Sequence, residues 1–77
     1  MSVEARIRDI LTDILDVKDS ELTPDAAFRT DLGASSIDVV EIVAALENEF
    51  RIKVTDQDVQ QITTVGSLSA LIQSKVT

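Results

Sequence analysis

The residue types that ordinarily carry chemistry are unevenly supplied in this chain. It has no histidine and no cysteine. A Ser–His–Asp arrangement, a Cys–His pair, a thiolate metal site and a disulfide framework are therefore all excluded. Lys18, Lys53 and Lys75 are scattered along the chain, with no sign of a pocket that would desolvate an amine. Carboxylates are abundant, 14 against 7 Lys and Arg. On so small an acidic chain they read as solvated charges rather than as a paired acid and base. Asp56-Gln57-Asp58 is a fragment of an EF-hand loop without its Gly and Glu, so the sequence offers no dedicated metal site. Weak divalent binding near Glu41, Glu47 and Glu49 is the most the acids suggest. Gly33 and Gly66 lie too far apart for a phosphate loop. Hydroxyls remain, and two of them, Ser35 and Ser36, stand together in the stretch DLGASSIDVVEIVAALENEF, residues 31–50.

That stretch has the layout of a helix start. Ser35 is placed as the N-cap, with Asp38 three residues on, a capping-box-like S-x-x-D. Ser36 then occupies the first helical position. Its hydroxyl lies on the surface at the positive end of the helix, where a phosphate would gain roughly 0.3–1 kcal/mol from the dipole. A serine at a helix mouth is also what a plain cap requires, and position alone does not separate the two readings.

The elements that would hold these serines are helical. Val3, Ile7, Ile10, Leu11, Ile14 and Leu15 recur at three- and four-residue spacing and predict a first helix over about Val3 to Asp16, capped by Ser2. Val17 to Ala34 reads as a long connection, too rich in apolar residues to be a floppy linker. It is expected to pack across the bundle on Phe28, with a short helical turn near Pro24. A second helix is predicted from Ser36 to about Phe50. Val39, Ile42, Val43, Leu46 and Phe50 form its core stripe. Ile37, Val40 and Ala44 form a second stripe beside Asp38, Glu41, Glu47 and Asn48. That second stripe is either the edge of a broad core face or a face for a partner whose basic groups meet the carboxylates. Thr55-x-x-Asp58 opens a short third helix to about Ile62, and Thr64 caps a fourth over Val65 to Val76, in which Gly66 is expected to be slightly weakening. Strand alternation is sustained nowhere. The predicted fold is an all-α bundle of three longer helices and one short one.

Residues 1–77 read as one small domain whose core is Ile, Leu, Val and Ala, since Phe28 and Phe50 are the only aromatics. The net charge of -7 repels nucleic acid and attracts basic patches on partner proteins. The longest apolar run, Ile42 to Leu46, is far too short to span a bilayer, and no signal-peptide layout opens the chain. A cytoplasmic, free-standing monomer without membrane insertion is the expectation.

The motif D-L-G-A-S-S-I-D-V-V-E-I-V-x-x-L-E-x-x-F resembles the acyl carrier proteins, whose usual core reads D-L-G-x-D-S-L-D, and the resemblance covers nearly the whole chain. Ser36 matches the family serine that carries 4′-phosphopantetheine. Asp31, Leu32, Gly33, Asp38, Glu41, Leu46, Glu47 and Phe50 match as well. Ser35 stands where the family usually has Asp, and Ile37 where it usually has Leu. In the family that Asp makes a charged contact to the modifying enzyme, so its loss implies a specialised carrier.

The resemblance implies a non-enzyme, loaded by a phosphopantetheinyl transferase that moves the arm from coenzyme A to Ser36. The arm's thiol would hold an acyl group for acyl-transferring and chain-elongating enzymes, in fatty-acid or polyketide-like synthesis. The partner face would be Ile37, Asp38, Val40, Glu41, Ala44 and Glu47. An acyl chain would be shielded among Phe28, Val39, Leu46, Val54, Val59, Ile62 and Leu68. The alternative is an unmodified adaptor of the same fold, acting by protein contact alone.

Overall fold

The computed structural model describes residues 2–76. Helix α1, Val3–Leu15, begins where the Ser2 hydroxyl accepts the Ala5 N–H at 3.0 Å. It ends where Asp16 turns left-handed, φ 54°, and its N–H returns to Thr12 O. Asp16 is thus the cap rather than the last helical residue. Ile7 and Leu11 are completely buried, and Val3, Ile10, Ile14 and Leu15 pack partly against the same core.

Helix α2, Ser36–Phe50, carries the complete capping box that its first residues predict. Ile42, Val43 and Leu46 are buried. The helix stops at Arg51, also left-handed. Helix α3, Asp56–Gln60, is shorter than its apolar spacing predicts. After Asp58 the bonds tighten to three-residue closures, Gln61 N–H to Asp58 O and Ile62 N–H to Val59 O, each 3.0 Å, and the chain leaves the helical path. Helix α4, Val65–Val76, buries Val65, Leu68, Ser69 and Ile72. The described residues thus form three longer helices and one short one, with no strand among them. None of these helices is long and apolar enough to cross a membrane.

α1 packs against both α2 and α4. The core gathers Ile7 and Leu11 from α1, Ile42 and Leu46 from α2, Leu68 and Ile72 from α4, and Leu22 and Phe28 from the long connection. At the edge of the α1–α2 contact, Arg6 donates to both oxygens of Glu49 at 2.7 and 3.1 Å. These bonds hold the Glu49 carboxyl below its ordinary pKa and raise that of the guanidinium. Between α1 and α4, the Ser69 hydroxyl and Gln73 amide both bond the Glu4 carboxylate, which satisfies Ser69, the only buried polar side chain among the described residues.

The connection is ordered throughout, but its helical turn is not at Pro24. A single turn of 3₁₀ helix forms upstream, at Asp19–Glu21. It closes there because the Glu21 carboxylate accepts the Lys18 N–H at 2.8 Å. Pro24 has another role: its carbonyl accepts the Gly66 N–H at 3.0 Å. Two further bonds, Val65 N–H to Ala26 O and Phe28 N–H to Thr63 O, strap the connection to the α3–α4 junction. The strap sets the height at which residues 29–36 approach α2.

α3 is too short to be stable alone and is held by its ends. Thr55 and Asp58 cap it reciprocally at 3.1 Å, and Lys75 of α4 bonds Asp58 at 2.9 Å. The Lys75 contact is the first cause that keeps the Asp58 carboxyl below its ordinary 3.8. A depressed carboxyl stabilises the fold above its unfolded pKa and ceases to as pH falls through its lower folded value. Lys75→Met should therefore melt at a lower temperature than the parent at pH 7. Melts taken across pH should show that gap closing below pH 3.8. A gap independent of pH would show that Lys75 acts by packing instead.

Candidate functional site

Residues 26–36 place the Ser36 hydroxyl. The Asp31 carboxylate accepts the Ala27 N–H at 2.7 Å, while the Asp31 N–H returns to Ala27 O at 2.9 Å. Gly33 then reverses the chain with φ +65°, and a Cβ there would meet nothing within 4 Å. Its requirement is the left-handed backbone, not space. The Ala34 N–H closes on Phe28 O at 2.7 Å. This closed turn stands on buried Phe28 and Ala34 and delivers Ser35 to the mouth of α2.

Ser35 is the cap. Its hydroxyl accepts the Asp38 N–H at 3.2 Å, and the Asp38 carboxylate accepts the Ser35 N–H at 2.9 Å. Ser36 is thereby freed from capping. It is exposed at the first helical position. The N–H groups of Ser36 and Ile37 lie ahead of the first intrahelical bond, which Val39 makes to Ser35 O at 3.1 Å. Arg29, on the same turn, donates from Nη2 to the Ser36 hydroxyl oxygen at 2.7 Å. An exposed hydroxyl, forward-pointing N–H groups and a guanidinium together suit an anionic ester on Ser36.

The second stripe of α2 is exposed. Ile37 is 71% and Val40 63% accessible, the two large apolar side chains most open to solvent among the described residues. Glu41 and Ala44 are exposed on the same face. Asp38 and Glu47 are less free. Asp38 serves the cap, and the Glu47 carboxylate accepts the Val54 N–H at 2.9 Å, holding the exit from α2. The structure thus brings Ile37, Val40, Glu41 and Ala44 together beside Ser36, and gives Asp38 and Glu47 structural work besides. Glu49, one of the acids expected near weakly bound cations, is engaged by Arg6.

A groove of about 380 Å³ runs from Ser36 between α2 and α3, lined by Arg29, Ser36, Val39, Val40, Val59, Gln60, Ile62 and Thr63. A smaller recess of about 210 Å³ adjoins it, lined by Ala27, Phe28, Arg29, Val39, Ile62 and Thr63. Phe28, Val39, Val59 and Ile62 lie where a shielding role would put them. Leu46, Val54 and Leu68 line neither, and Leu46 and Leu68 are completely buried core. Arg29, Gln60 and Thr63 escape the sequence pattern, because they are polar and loop or helix-end residues with no periodicity to mark them.

Residues 5–72 match a family described as "Phosphopantetheine attachment site". A solved structure from Mycobacterium tuberculosis, provisionally described as an acyl carrier protein, superposes with a TM-score of 0.87 at 29% sequence identity, over 95% of this chain and 97% of that one.

Proposed function

The chain belongs to the acyl carrier protein family, and from that premise we propose that it is an acyl carrier whose 4′-phosphopantetheine is attached at Ser36. Members of the family carry that group covalently and are carriers rather than catalysts. The observation that supports Ser36 is its freedom: Ser35 takes the whole capping duty and leaves the neighbouring hydroxyl exposed at the helix mouth.

Attachment is a phosphoryl substitution. The Ser36 oxygen bonds to the phosphorus of coenzyme A that bears the pantetheine, and the bond from that phosphorus to the bridging oxygen breaks. Adenosine 3′,5′-bisphosphate leaves, and the hydroxyl proton passes to a base of the transferase. When bound, the group supplies a terminal thiol that carries an acyl group as a thioester.

This chain's own residues supply position and address. The first-turn N–H groups face the ester's negative charge. Ile37, Val40 and Ala44 give a partner enzyme an apolar contact, and Glu41, with the edges of Asp38 and Glu47, meets its basic rim. The apolar walls of the groove, Val39, Val40, Val59 and Ile62, would cover the near part of a cargo chain. Fatty-acid and polyketide-like synthesis both fit such a carrier.

The test is peptide mapping after loading with coenzyme A and a broad-specificity phosphopantetheinyl transferase. Trypsin releases residues 30–51, which contain both serines, as one peptide. Fragmentation should place the added phosphopantetheine on Ser36. Its presence on Ser35 would overturn the assignment. A folded chain that takes up none would favour an unmodified adaptor.

A further inference from the structure

We propose that Arg29 is the phosphate-holding residue of this carrier, pinning the phosphodiester on Ser36 and turning the root of the arm into the groove between α2 and α3. The inference rests on attachment at Ser36 and adds to it a residue that the D-L-G-A-S-S-I-D motif does not contain.

Three observations carry it. Arg29 Nη2 already lies 2.7 Å from the Ser36 oxygen, at the short end of N–H···O bonds. Arg29 also takes part in none of the ion pairs among the described residues, although Arg6 and Arg8 are paired and the chain has 14 carboxylates. Its charge is directed at a neutral hydroxyl. Finally, Arg29 borders both the groove that begins at Ser36 and the recess behind it, so it approaches the serine from the groove side.

The chemistry follows from what replaces the hydroxyl proton. Once Oγ is esterified, two non-bridging oxygens share one negative charge, each two bonds from Oγ. A guanidinium in contact with Oγ reaches them by turning its own fork, and its planar donors match a pair of phosphate oxygens. The stalk beneath it is fixed, since Phe28 is buried and its backbone bonds both Thr63 and Ala34. The neck of the carrier, which lacks a carboxylate at position 35, thereby has a cation at position 29 instead.

Loaded parent, Arg29→Gln, Arg29→Lys and, as a control, Lys53→Gln should be compared by ³¹P NMR, with each loaded chain unfolded in urea as its own reference. The folded parent should show a phosphorus signal displaced from the unfolded reference. Arg29→Gln should lose most of that displacement, Arg29→Lys should keep part of it, and Lys53→Gln all of it. About 1 M salt, where the screening length falls to roughly 3 Å, should shrink it in the parent. The gain in Tm on loading should be smaller in Arg29→Gln by roughly 2–5 °C. Full loading by intact mass with an unchanged phosphorus signal and loading gain in Arg29→Gln would overturn the role of Arg29 and leave the attachment reading standing. A parent that takes up no mass would overturn both.

Discussion

Leu46→Ala should lower the unfolding free energy by ~2–5 kcal/mol. Leu46 is 0% accessible and sits in the cluster of Ile7, Leu11, Leu68 and Ile72. Truncation removes apolar contact and leaves a cavity among residues from three helices. A core in a chain this small rarely supplies more than about 3–5 kcal/mol, so much of the variant should be unfolded at room temperature. A urea titration followed by circular dichroism reads the effect directly. An unchanged midpoint would mean that α2 buries a different face, and the exposed stripe at Ile37 and Val40 would lose its proposed role as a partner surface.

Gly66→Ala should destabilise, against the usual sign for a glycine inside a helix. Helix propensity alone would favour Ala by about 0.8–1 kcal/mol. Here a Cβ would stand 2.9 Å from the carbonyl oxygen of Pro24, which is backbone and already accepts the Gly66 N–H at 3.0 Å. To admit the methyl the strap must move, at a cost of about 1–3 kcal/mol. The net effect should be a fall in Tm of several degrees, at roughly 4–8 °C per kcal/mol. A rise in Tm would show that the strap yields freely and does not fix the turn that carries Arg29 and Ser36.

Gly66 also marks where sequence reasoning stops. As a helix glycine it reads as a small defect, because the residue it faces, Pro24, is 42 positions away on a segment with no periodicity. By contrast, α2 and α4 begin and end where their caps and apolar spacing predict, since both signals are local. The exposed stripe at Ile37, Val40 and Ala44 was legible as a stripe, though its exposure was not: whether neighbouring helices cover it depends on tertiary packing. The shielding set was half legible. Val39 and Ile62 have the spacing of inward residues and do border the groove, but the same spacing describes Leu46 and Leu68, which lie too deep. Helix α3 was overestimated because Ile62 continues the apolar pattern while its backbone turns away to supply Thr63 to the strap. Arg29 lay outside any pattern, since its contact with Ser36 depends on the closed turn between them.

The measurement that bears most directly on the account is intact mass of the parent chain and of Ser36→Ala, each incubated with coenzyme A and a broad-specificity phosphopantetheinyl transferase. The exposed Ser36 side chain makes no capping bond, so the variant should keep its helical signal and its melting curve. The parent should gain the mass of one phosphopantetheine and the variant none. An equal gain in both chains, or no gain in a folded parent, would contradict the assignment of Ser36 as the point of attachment.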